Sequence, residues 1–238
     1  MSEEKKSTTT NLPVGEVLQE SWDLFVKNIN VFIIVVLIGI GLYLIPAIIG
    51  WIGGFAFVST GSLVALSGSG SSSLIWGSLL GALGFSFVML ILGLLISTVY
   101  LAATNYAVYH VVSGKTVDAW DNFKLGFKKF WTFLGMAICV GLIVGIGLLL
   151  LVVPGLIAGF FLSFSFYLLV VEDLTISKAI SRSFALVKEN WFLILILSLI
   201  IMAINALLGM IPFIGLIAGP FAALFGTLVL AVVYKRVK

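Results

Sequence analysis

Charge is scarce in this chain: 13 Lys and Arg and 10 Asp and Glu among 238 residues, or 10%. A soluble domain carries about 25%. Histidine and cysteine occur once each, as His110 and Cys139. A lone cysteine excludes a disulfide framework. A lone histidine leaves a metal centre without its usual ligand set. The basic residues are scattered through short connectors, which excludes the basic face a nucleic-acid binder needs. What fills the chain instead is apolar: 61% of residues, with a mean hydropathy of +1.26. Soluble domains hold about 45–50%, so hydrocarbon rather than water must surround most of this polypeptide.

The placement of the few charges carries the organisation. None lies between Lys27 and Lys115, between Lys129 and Glu172, or between Glu189 and Lys235. A crossing needs about 20 apolar residues, so each stretch is too long for one helix and suits two. Splitting at the Ser/Gly run 67–73, at Pro154-Gly155 and at Gly209–Pro212 predicts crossings at about 29–49, 74–100, 131–153, 156–171, 191–211 and 214–234. Pro46, Pro154 and Pro212 suit helix ends where the chain reverses, because proline lacks an N–H and restrains the residue before it. The odd-to-even turns hold no Lys or Arg; the N-terminus, the connectors 101–130 and 172–190 and the C-terminal tail hold all 13. Cytoplasmic loops retain Lys and Arg, so both termini are expected in the cytoplasm. The polar, mixed-charge opening segment does not read as a signal peptide, and no lipidation signal is present.

Each charged connector also carries an amphipathic stripe. Val17, Leu18, Trp22 and Phe25 recur at helical spacing, as do Trp120, Phe123, Phe127 and Phe130, and Ile176, Ile180, Phe184 and Val187. Such stripes either lie in the headgroup layer or pack on the bundle, and the sequence leaves both open. The chain also repeats itself. Gly155-Leu156-Ile157-Ala158-Gly159 recurs as Gly215-Leu216-Ile217-Ala218-Gly219, and Lys128 and Trp131 match Lys188 and Trp191 at the same offset. Leu24–Asn28 resembles Leu186–Asn190 more loosely. The expected fold is therefore all-α: six transmembrane helices as three parallel helical-hairpin repeats, each preceded by an interfacial helix. The repeats fall at about 14–112, 116–171 and 175–234 within a single domain over 14–234, the first with an insertion around 53–73. A flexible segment 1–13 and a basic tail 235–238 flank it.

Two segments resemble a known family. They are Ser21–Asn28, and the run from Val153-Pro154-Gly155 through Glu172-Asp173 to Ser181-Arg182-Ser183-Phe184 and Asn190-Trp191. They look like a prokaryotic multi-pass membrane protein family that includes the membrane domain found with some glycerophosphodiester phosphodiesterases. The resemblance implies a multi-pass module without chemistry of its own, since the phosphodiesterase activity belongs to a separate soluble barrel.

No Asp, Glu, Lys or Arg falls within the expected crossings, so catalytic carboxylates or bases at depth and the ionisable groups of driven transporters are missing. No catalytic, cofactor-binding or metal-binding residue is assigned, no cofactor is expected, and the chain is not expected to be an enzyme. His110 with Glu172 and Asp173 is the one trio that a fold would have to bring together to make a site. Asn205 is expected to bond between helices, and Ser163 and Ser165 to nearby backbone. The expected function is a scaffold or accessory module of the cytoplasmic membrane that engages lipids or partner membrane proteins, with homo-oligomerisation left open. The alternative is a small channel or transporter for a lipid-like or uncharged solute.

Overall fold

The computed structural model describes residues 13–66, 72–115, 118–210 and 214–238. The segment 1–12, most of the Ser/Gly run and Pro212 lie outside these residues. The described elements are all helical. Connector helices α1 (Val14–Lys27), α4 (Ala119–Lys128) and α8 (Ile176–Glu189) alternate with apolar ones: α2 (Ile29–Leu66), α3 (Ser72–Val112), α5 (Phe130–Leu150), α6 (Val152–Phe161), α7 (Ser165–Val171), α9 (Trp191–Gly209) and α10 (Ile214–Val237). Six segments, with α6 and α7 forming one, are long and apolar enough to cross a membrane. The chain thus has the make-up of a multi-pass membrane protein.

A single residue joins each connector helix to the apolar helix after it. These are Asn28, Lys129 and Asn190, with φ/ψ of −112/22, −100/13 and −123/26. At Asn28 and Asn190 the side-chain amide donates to the carbonyl four residues back, at 2.9 and 3.1 Å. The same carbonyls accept the junction residue's own N–H, at 3.2 and 3.3 Å, so side chain and backbone close the helix end on one oxygen.

Three boundaries differ from the sequence reading. Pro46 does not end the first crossing but sits inside α2, which runs on through the expected insertion to Leu66. The residues beyond it remain apolar, so nothing in composition stops the helix, and membrane helices tolerate proline. The expected crossing at 156–171 begins earlier and is broken: α6 ends at Phe161 and α7 starts at Ser165. The chain reverses at Leu151, which is extended (φ −161, ψ 144). Pro154 follows in the first turn of α6, where a missing N–H costs nothing. The reversal is tight because two glycines meet there; a methyl on Gly147 would lie 2.7 Å from Gly155 Cα. Lys235 and Arg236 belong to the last turn of α10, which also contains Pro220.

α2 and α3, at 38 and 41 residues, are about 57 and about 62 Å long at 1.5 Å per residue, about twice a hydrocarbon core. They pack antiparallel along that length, with Gly53 beneath the ring of Phe85 and Gly81 beneath that of Phe57. The buried core, however, lies at the charged end among the described residues. On α2 it stops at Val36, on α3 it resumes at Val99, and it continues through Phe133 and Met136, Phe164 to Val170, Ile194 and Leu197, and Leu224 to Tyr234. Replacing 53–86 by a short Gly/Ser link is therefore expected to leave the thermal midpoint in detergent within a few degrees of the parent chain. A collapse of the melting transition would place essential packing in the distal hairpin.

Candidate functional site

The charged end, where all three connector helices seat, is the candidate site. α1 packs on α10, α4 on α3 and α8 on α7. The packed face takes in part of each apolar stripe and adds small and polar residues. It consists of Val17, Ser21 and Phe25 on α1, Ala119, Asn122, Phe123 and Gly126 on α4, and Ala179, Ser183, Leu186 and Val187 on α8. Small residues win these positions because they let helix axes approach; a Cβ on Gly126 would sit 3.2 Å from the backbone nitrogen of Ala103. Phe25 and Phe123 turn inward with this face, while other large rings of the stripes turn outward. Trp22 is 57% exposed, Trp120 53%, Phe127 58% and Phe184 49%. Of the two openings left by the sequence, each helix thus realises packing on one face and leaves an aromatic edge free.

Each connector helix buries one polar residue seven positions before its junction residue: Ser21, Asn122 and Ser183, all 0% exposed. Ser21 Oγ donates to the Val17 carbonyl of its own helix at 2.7 Å. Asn122 Nδ2 donates to the Asp118 carbonyl at 3.3 Å, so its Oδ1 accepts from His110 Nδ1 at 2.8 Å and the imidazole proton sits on Nδ1. Ser183 Oγ donates to the Phe161 carbonyl at 2.8 Å and accepts from the Phe164 N–H at 3.2 Å. One hydroxyl thereby satisfies both backbone groups at the α6–α7 break, which would otherwise be orphaned in an apolar setting. Ser21 and Ser183 stand in the family-like segments of the sequence without a role of their own, and Asn122 in neither segment. The usable signal was their common register against the Asn28, Lys129 and Asn190 junctions.

His110, Glu172 and Asp173 each engage a different partner. His110 lines a polar pocket of about 310 Å³ with Asn28, Lys115, Asp118 and Asn122. Glu172 accepts a 2.5 Å hydrogen bond from Tyr234 Oη and lies 3.9 and 3.8 Å from Arg182 and Lys238. Asp173, held at φ +47, pairs with Lys129 at 2.7 Å, a hydrogen bond that raises the Lys129 ammonium above its ordinary value. Among the described residues no group of three or more His, Cys, Asp or Glu is placed to hold a metal ion. Asn205 corrects the expectation of an interhelical bond: it donates to the Ile201 carbonyl of its own helix at 2.8 Å. Ser163 and Ser165 depart from theirs as well, since their Oγ atoms are buried without a partner.

An ionic clasp ties the two ends of the chain together. Arg236 reaches Glu20 at 2.7 Å and Glu16 at 3.0 Å, and Lys235 reaches Glu20 at 3.2 Å. Burial alone would raise the Glu20 carboxyl, but hydrogen bonds and charge from Arg236 and Lys235 outweigh it and hold the group below its ordinary value. A depressed carboxylate contributes stability above its unfolded value, about 4.3, and loses it as pH falls through the lower folded value. The melting temperature of the parent chain should therefore fall more steeply than that of Glu20→Gln between pH 6 and pH 3, the two converging at the acid end. Parallel curves would mean the clasp contributes nothing.

Comparison with family models, with curated proteins and with solved structures returned no match.

Proposed function

We propose that this chain is a non-enzymatic module of the cytoplasmic membrane, built from three parallel repeats (α1–α3, α4–α7 and α8–α10), that engages lipids or partner membrane proteins through its connector helices. The cyclic docking of those helices carries this reading. Each seats on the return helix of the preceding repeat, and α1, the first, seats on α10, the last. A ring closed in this way has an axis along the membrane normal. The matching junction geometries and the buried polar residue at one register in all three helices support the same repeat.

With every described Lys and Arg at one end, the positive-inside rule puts that end and both termini in the cytoplasm. The outward rings of Trp22, Trp120, Phe127 and Phe184 then lie in the headgroup layer, where an aromatic body with one wet edge is favoured. The likeness of Ser21–Asn28 and 153–191 to the membrane domain found with some glycerophosphodiester phosphodiesterases belongs to this proposal, and it too speaks for a module without chemistry. The alternative, a solute path along the axis, is not favoured by a charged end packed with fully buried Phe164, Leu168, Leu224 and Leu228.

Extraction in mild detergent tests the reading. The parent chain should retain endogenous lipid or a stoichiometric partner, and the triple variant Trp22→Ser, Phe127→Ser, Phe184→Ser should lose it. Retention of neither by the parent chain would count against the proposal. Flux of an uncharged solute through liposomes bearing the protein would favour the alternative.

A further inference from the structure

One of the three buried polar residues differs from the others in its partner. Ser21 and Ser183 bond backbone groups, whereas Asn122 bonds a side chain, His110. Asn122 and His110 line the pocket of about 310 Å³ together with Asn28, Lys115 and Asp118. That volume is at the small end of the range for ligand pockets, about 300–1,000 Å³. A helix-ending turn fixes the place of Lys115. α3 closes on Gly114 at φ +67, with the Gly114 N–H on the Val111 carbonyl at 3.1 Å and the Lys115 N–H on the His110 carbonyl at 2.9 Å. This paired closure wants glycine at the left-handed position and brings the next residue back over the last turn. Asp118 immediately precedes α4, and its carboxylate does not cap that helix.

The pocket thus holds one cation and one anion, both exposed. Lys115 Nζ stands 5.5 Å from the centre of the Tyr109 ring. Among the described residues neither Lys115 nor Asp118 is in an ion pair, with each other or with any other group. A simple anion would be attracted by Lys115 and repelled by Asp118, and a simple cation the reverse. A ligand carrying both charges satisfies both. The neutral groups specify its cationic end. Asn28 spends its amide nitrogen on the Leu24 carbonyl, which leaves Oδ1. His110 spends Nδ1 on Asn122, which leaves Nε2 as an acceptor. With the Asp118 carboxylate these are three uncommitted acceptors, and a primary ammonium carries three N–H donors. A quaternary ammonium carries none.

We propose that this pocket binds a small zwitterion, its primary ammonium taken by Asn28, His110 and Asp118 and its anionic group by Lys115. Two sources share that chemistry: the phosphoethanolamine headgroup of a membrane lipid, and a free zwitterion such as phosphoethanolamine itself. The place of the pocket favours the headgroup. That assignment rests on the reading above that the charged end lies in the cytoplasmic headgroup layer.

The test is native mass spectrometry of the full chain released from nanodiscs of equal phosphatidylethanolamine and phosphatidylcholine, whose masses identify each retained lipid. The parent chain should retain phosphatidylethanolamine with about ten-fold preference, the scale of one charge-assisted hydrogen bond. Asp118→Asn should reduce the preference to about two-fold or less and leave the melting temperature within a few degrees. Lys115→Gln should lower retention of both lipids and leave their ratio unchanged, since both carry a phosphate. Calorimetric titration of the chain in lipid-free micelles separates the sources. Saturable binding of phosphoethanolamine but not phosphocholine, lost in Asp118→Asn and accompanied by equal retention of the two lipids, assigns the free zwitterion. Equal retention with no binding of phosphoethanolamine, or a lipid preference undiminished in Asp118→Asn, overturns the zwitterion site while leaving the membrane module standing. A chain that does not enter the nanodiscs overturns the membrane reading and the headgroup assignment together.

Discussion

Leu228→Arg is expected to abolish the folded bundle. Leu228 lies in α10, is 0% exposed, and belongs to the buried core with Leu224 and Val232. No Asp or Glu falls in α10 itself, and the carboxylates that reach it, Glu16, Glu20 and Glu172, are engaged at Tyr234, Lys235 and Arg236. A charge at depth in a membrane helix costs at least about 2.5–3.5 kcal/mol, and an unpaired charge inside a packed core costs about 3–5 kcal/mol. Either figure is a large share of the total stability of a domain. Size-exclusion chromatography should show aggregate in place of a monodisperse peak, and the cooperative melt should vanish. Leu228→Met, which conserves volume, should cost less than about 1.5 kcal/mol. An Arg variant melting within a few degrees of the parent would mean that the centre is open to water.

Ser183→Ala is expected to give the largest loss for its size. The hydroxyl serves the Phe161 carbonyl and the Phe164 N–H together. Each buried group left unpaired costs about 1–3 kcal/mol. Ser21→Ala is the matched comparison, since Ser21 occupies the same register but bonds only a carbonyl of its own helix. It should cost about 0.5 kcal/mol, the low end for a single hydrogen bond. Denaturant titration in micelles separates the two. Equal losses would show that the α6–α7 break holds itself together without Ser183.

The contrast between these serines marks where the sequence stops being informative. Crossings and connectors were legible because charge and hydropathy vary along the chain in blocks longer than a helix turn. The register of Trp22, Phe127 and Phe184 was legible as a stripe. Its direction was not: Phe25 and Phe123 of the same stripes turn inward, and beside them close helix approach favours Ser21, Gly126 and Ala179 over a further large ring. Pro46 misled because proline ends helices in water, where freed carbonyls and loops are solvated, and is absorbed in a long apolar helix. The α6–α7 break was hidden because the side chain that bonds it, Ser183, lies 19 residues from Phe164 along the chain. For the site, the single histidine was visible, but its partner Asn122 was not, since nothing in composition distinguishes a buried amide from an exposed one.

The central claim is that the connector helices share one face of the membrane and the Leu151 reversal lies on the other. Single cysteines answer it directly, in a Cys139→Ala background, with an impermeant maleimide applied to intact cells and to inverted vesicles. Asp121→Cys and Lys178→Cys should label only in inverted vesicles, and Leu151→Cys only in intact cells. Labelling of Leu151→Cys and Lys178→Cys from the same side would contradict the account.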